Sequence, residues 1–265
     1  MSALVPTSQL PLTIALIVAT AGASLVYGYV GYRLYRRQVS SDARLASTQF
    51  ALWWGGLGVS TAVGGAELAL AAVGVLSFPL ALTLYLVVVL VDCAFLWGLV
   101  GFLLFVYTGK YHLLELTAFY AWFYVTLLYY VLTQVPSSVA VVAGSVDLRY
   151  SAPPIAALEG VLVLGLIGPE LVCGILYFSL LRRTDDPARR YRIWLVGGGI
   201  LLWFAIDVFV PSSTLPWTLA KAVIQVIPGI MSLFAFYPPA WARRRYGVTS
   251  WDEPVAPPKA VARSP

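Results

Sequence analysis

LTIALIVATAGASLVYGYVGYRLYRR, residues 12–37, decides the fold. From Leu12 to Tyr32 the chain carries no charge, and then Arg33, Arg36 and Arg37 follow within five residues. A helix needs about 20 apolar residues to cross a bilayer, and arginines placed directly after such a run stop it from moving further. The eleven residues ahead of the run hold no positive charge. A secretory signal opens on a basic segment, so this run reads as a retained first spanning helix.

Similar runs recur along the chain. Helices are predicted at about residues 12–33, 48–74, 79–108, 113–134, 154–182, 191–211 and 216–238. Pro79, Pro153–Pro154 and Pro216 stand at helix starts, where a missing N–H costs nothing. The composition agrees, with 60% hydrophobic and 11% charged residues, against about 25% charged in a soluble domain. The fold class expected is an all-α integral membrane protein of seven transmembrane helices in one domain, 1–246. A polar, Pro-rich tail over 247–265 is expected to be disordered.

The positive charges orient these helices. Of the 17 Lys and Arg residues, all but Arg149 and Lys221 fall at alternate gaps: Arg33–Arg44, Lys110, Arg182–Arg192 and the tail from Arg243 on. Cytoplasmic loops retain Lys and Arg. The amino terminus is therefore expected outside and the carboxyl terminus inside, in a multi-pass protein of the cell membrane. The net charge of +5 is accounted for by inside loops and contact with anionic lipid; nucleic acid is not expected as a partner. Trp217 and Tyr150 suit the outer interface, and Trp194, Trp241 and Tyr246 the inner one.

Few chemistries fit the residue types. His112 is the single histidine, which cannot build a haem pair, a zinc triad or a histidine-box site. Cys93 and Cys173 lie in apolar runs and read as packing residues rather than a disulfide framework. No nucleophile motif stands out. The chain is read as not an enzyme and as needing no cofactor or metal.

Charge inside a span costs about 2.5–3.5 kcal/mol or more, so each instance needs a reason. By helix rise, Glu67, Glu159, Asp207 and Lys221 fall at one outer level on four helices. They form either a polar pocket for a ligand or ion, or a closed ion-pair network in which Lys221 takes Asp207 or Glu67 as partner. Asp92 and Glu170 fall deeper, about 10–20 Å from that level. Carboxyls there suit proton uptake and release, and equally suit a neutral acid donating one buried hydrogen bond. Gly168-Pro169 precedes Glu170 and Pro228-Gly229 interrupts the last run, so both helices are expected to bend.

Other features divide between packing and function. In FYAWFYVTLLYYVLTQ, residues 119–134, Phe119, Phe123 and Tyr130 share one stripe, and Tyr120 and Tyr124 another. Such a face packs, or holds a flat apolar ligand. Gly55, Gly56, Gly58, Gly64, Gly65 and Gly197–Gly199 permit close helix contact. Residues 134–151 are either a plain connection or a hairpin capping the outer face. LYRRQVSSDARLASTQFALWWGG (34–56) and LLRRTDDPARRYRIWLVGGG (180–199) share an Arg pair, Asp, Ala-Arg, Trp and a glycine cluster. Thirteen residues separate Trp54 from Glu67, and also Trp194 from Asp207. A parallel 3+1+3 repeat around helix 4 would account for both.

Seven helices and a lysine in the last invite comparison with microbial rhodopsins. Lys221, however, lies near the outer end of its helix rather than level with a carboxylate in helix 3. Tyr237-Pro238-Pro239-Ala240-Trp241-Ala242-Arg243-Arg244-Arg245 closes the last span with prolines, an aromatic residue and an arginine cluster. In this the chain resembles the heptahelical input regions of prokaryotic sensor kinases and related receptors. The resemblance implies a sensor that binds a small or lipid-like ligand and signals through a cytoplasmic partner; it carries over no ligand contact. The alternative is a proton-coupled secondary transporter using Asp92 and Glu170.

Overall fold

The computed structural model describes residues 5–36, 41–134, 136–150, 156–210 and 213–249. Its helices are α1 (Leu10–Tyr35), α2 (Ser41–Ala72), α3 (Phe78–Thr108), α4 (Leu113–Gln134), α5 (Ala156–Ser179), α6 (Pro187–Phe209), α7 (Leu215–Ile224), α8 (Val226–Phe236) and the short α9 (Ala240–Tyr246). Six stretches are long and apolar enough to cross a membrane: α1 with the turn before it, α2 from Arg44, α3, α4 to Thr133, α6, and α7–α8 taken together. The chain is thus a multi-pass helical membrane protein. α5 has 24 residues and carries Pro169 within it.

Local chemistry sets the helix ends. Pro11, Pro79, Pro187 and Pro216 occupy first-turn positions. Asp186 caps α6 by accepting from the Ala188 N–H at 3.0 Å, filling one of the donors a helix start leaves open. α3 stops at Gly109, whose φ of 72° closes the last turn with an N–H bond to Phe105 O. α2 begins at Ser41 rather than near 48, because its polar first turns are helical beyond the apolar run. The last run is two helices meeting at Gln225, since Pro228 cannot donate to Ile224 O.

α1, α2 and α3 pack in sequence, as do α5, α6 and α8; α1 also meets α7 and α8, and α3 meets α5. Glycines set the α1–α2 distance. A Cβ on Gly31 would stand 2.8 Å from Gly55 N and 2.9 Å from Ala51 O. Ser24 Oγ donates to Gly58 O across the same seam at 2.7 Å. α2 presses equally close on α3: a Cβ on Gly98 would collide with Gln49 O.

Two strands depart from an all-α chain. β1 (Pro136–Val142) and β2 (Ser145–Tyr150) pair antiparallel, with Val142 opposite Ser145 and Ala140 opposite Asp147. Ala143 (φ 50°) and Gly144 (φ 85°) form the tip, both in the left-handed region, as a two-residue hairpin with matched twist requires. Of the two readings of residues 134–151, the hairpin is the one observed. It packs over α2 and α3 through Val139, Val146 and Leu148, which meet Leu76 and Ala81.

Candidate functional site

Beneath the hairpin tip lies an open cleft of about 350 Å³. α1 supplies Thr20; α2 supplies Thr61 and Glu67; α6 supplies Asp207; α7 supplies Lys221, and Gln225 follows it; Ser145 and Val146 form the roof. Three of the four residues assigned to the outer level, Glu67, Asp207 and Lys221, therefore converge. The side chain of the fourth, Glu159, lies outside the described residues, as does that of Glu170.

The three charges are unequal. Lys221 Nζ sits 2.9 Å from Asp207 Oδ1 and also donates to Asp207 O at 3.2 Å. Of the two acids open to it, Lys221 takes Asp207. Glu67 is half-buried and, among the described residues, makes no hydrogen bond or ion pair. A matched pair beside an unmatched carboxylate gives the cleft one net negative charge when all three groups are ionised. The hydroxyls of Thr61 and Ser145 and the side-chain amide of Gln225 add neutral hydrogen-bonding groups.

The roof is anchored. Thr218 Oγ1 donates to Ala143 O at 2.7 Å. Gly144 presses on Leu16 and Leu215 so tightly that a Cβ there would stand 2.6 Å from Leu16 Cδ2. Asp147 is on the exposed side of β2; partial burial nevertheless pushes its carboxyl up from the usual range, and Arg149 partly offsets this.

Asp92 lies deeper and is not isolated from the cleft. Ser60 of α2 is its polar neighbour. Its Oδ1 is buried and has no hydrogen-bond partner among the described residues. Ser60, Gly64 and Glu67 follow one stripe of α2 at i, i+4 and i+7, so a single helix face runs from Asp92 to the cleft.

Below that level the interior closes with aromatic rings. Trp53 and Trp54 are fully buried, their rings 4.3 Å apart. Tyr27 packs on Trp54 at 5.5 Å and on Trp203 at 5.6 Å. Phe50 stacks on Phe102 at 4.3 Å and meets Phe236 edge-on. The Tyr27 hydroxyl donates to Gln225 O, which ties this plug to the lining of the cleft.

Sequence reasoning missed Thr20, Thr61, Ser145, Gln225 and Tyr27. The spacing of Thr61, Gly64, Gly65 and Leu68 was a readable signal, since these share the α2 face that lines the cleft. On α4, Tyr120, Phe123 and Tyr130 are buried, which is packing. Phe119 shares the stripe of Phe123 and Tyr130 but is 40% exposed. The Trp positions of the internal repeat differ, Trp54 being buried and Trp194 exposed, whereas Glu67 and Asp207 both line the cleft.

No protein-family model matches the chain, and no curated protein is significantly similar to it.

Proposed function

We propose that this chain is a heptahelical receptor-like protein of the cell membrane. It binds a small ligand in the cleft below the hairpin and signals through a partner at the opposite, arginine-rich end. In this reading α5 is the seventh span. The hairpin end and the amino terminus face outward, and the carboxyl terminus faces the cytoplasm. The 3+1+3 plan fits α1–α3 and α5–α8 as two packed sets with α4 lying against α3.

One observation carries the ligand class: Lys221 is satisfied by Asp207, while Glu67 has no hydrogen bond or ion pair among the described residues. An anion would have to compete with Asp207 for Lys221. A cation meets a free carboxylate directly, and an ammonium group can donate to Glu67 and to nearby hydroxyls together. The ligand is therefore a small organic amine. The plug of Tyr27, Trp54 and Trp203 favours one-sided binding over transport, because a transporter needs a polar route to the other face.

Thermal unfolding of the purified chain tests this reading. A panel of small primary and quaternary amines, with carboxylates of matched size, is titrated against wild type and Glu67→Gln. Stabilisation of wild type by one or more amines, lost in Glu67→Gln, is expected. Stabilisation by carboxylates alone would sink the proposal. The observation that favours transport is the face from Glu67 to Asp92. Proton flux into proteoliposomes that Asp92→Asn abolishes would replace the receptor reading.

A further inference from the structure

At the arginine-rich end, α9 returns against the start of α6 and leaves a groove of about 540 Å³. α9 is firmly held. Ala242 and Val248 are buried beside Tyr191, Tyr191 stacks on Tyr246 at 5.2 Å, and Arg192 donates to Thr249 O at 3.0 Å. The groove is thus a fixed surface, and its walls are graded. Arg190 stands at one level, exposed and, among the described residues, without a hydrogen bond or ion pair. One helical turn further into the span, about 6 Å along α6, come Trp194 and Leu195. Trp241 of α9 faces them from the other wall. Trp194 and Trp241 are 55% and 59% exposed, which leaves both indoles open to lipid at the inner interface.

The geometry points to a binding site for one anionic phospholipid, with its phosphate on Arg190 and an acyl chain laid between Trp194, Leu195 and Trp241. Three features of the site select this occupant. The cation and the apolar walls are separated along the helix axis of a spanning segment, which is the direction in which a lipid changes from headgroup to chain. Arg243, Arg244 and Arg245 on the same short helix add positive charge that a zwitterionic lipid does not match. Indoles are the side chains that best tolerate the boundary between headgroup and hydrocarbon. An acidic peptide would use the arginines but would not need the indoles one turn deeper. The site lies at the opposite end from the cleft and does not depend on what the cleft binds.

The test uses the full chain in neutral detergent, with bound lipid counted by native mass spectrometry. Phosphatidylglycerol, phosphatidylcholine with the same chains, and free glycerol phosphate are compared. Retention of phosphatidylglycerol above phosphatidylcholine is expected. Arg190→Gln should lower that retention roughly fivefold, the effect of one basic residue at a lipid surface, and Trp241→Ala should lower it as well. Arg182→Gln, at the same end but outside the groove, should leave it unchanged. Equal retention of the two lipids overturns the proposal. So does an equal effect of Arg182→Gln, which would mean a diffuse basic surface. Competition by glycerol phosphate as strong as that by the lipid would mean a phosphate site only, and also overturns it. Each substituted residue is exposed, and an unchanged melting profile confirms that lost retention is not lost fold.

Discussion

Lys221 is 16% exposed and its partner Asp207 44%, so their ion pair lies between two regimes. Exposed pairs contribute little, and breaking a buried pair strands a charge at a cost of about 3–5 kcal/mol. Lys221→Met is expected to destabilise by about 1–3 kcal/mol, between those limits. Adding Asp207→Asn should recover part of the loss, because the stranded carboxylate is then gone. A double-mutant cycle read by denaturant unfolding in detergent measures this, and strictly additive losses would show that the two side chains are not coupled. Depth along the helices was legible from the sequence, which set Glu67, Asp207 and Lys221 at one level. Direction around each helix was not, because it depends on which faces pack, and so Glu67 and Asp207 stood as equal partners for Lys221. The same gap hid Thr20 and Gln225, ordinary residues until α1 and α7 bring them to one space.

At the scale of the element, the α1–α2 seam separates glycines that matter from glycines that do not. Gly31→Ala would drive a Cβ to 2.8 Å from backbone on α2, whereas a Cβ on Gly55 meets nothing within 4 Å. Gly31→Ala should therefore cost about 1–3 kcal/mol through overpacking. Gly55→Ala should be neutral or mildly stabilising, since alanine is the better helix former. Thermal melting of the two variants side by side checks this, and equal losses would count against the seam. The hairpin offers a second case. Gly144→Val combines an unfavourable positive φ with a clash against Leu16 and Leu215. It should raise amide exchange over β1 and β2 while leaving the helices protected. Asp147 sets the sign of a pH effect on the same hairpin. Its carboxyl is pushed up in the folded state, so the folded hairpin holds the proton more tightly than the unfolded chain, whose value is about 3.9. The contribution is full below that value and is lost as pH rises through the raised one. Amide protection of Val139 and Val141, corrected for intrinsic exchange, should fall slightly across that acid range, and Asp147→Asn should flatten the slope. Element bounds were largely readable where proline or charge closes an apolar run, as at Phe78–Thr108 and Leu113–Gln134. They were misjudged at Ser41, because hydropathy reports where lipid ends and not where a helix ends. The expected bend at Pro228 resolves into two helices meeting at Gln225.

For the whole molecule, polar and aromatic layers succeed one another along the bundle axis. Glu67, Asp207 and Lys221 lie under the hairpin, Asp92 and Ser60 beneath them, and the ring cluster of Tyr27, Phe50, Trp53 and Trp54 below. Only the first two layers were visible as charges in a sequence. The third is built from aromatic residues scattered over α1, α2, α3, α6 and α8, and its closure is a property of packing alone. The hydrogen bond from the Tyr27 hydroxyl to Gln225 O joins the top of this stack to its floor, where the two fully buried indoles of Trp53 and Trp54 lie 4.3 Å apart and tilted by 50°. Such a pair emits at short wavelength and is sensitive to any change in the ring above it. The chain consequently contains its own optical gauge: filling the cleft should shift or quench the native tryptophan emission without any added dye. Tyr27→Phe, which keeps the ring and removes the tether, should leave the resting spectrum in place and uncouple it from the cleft.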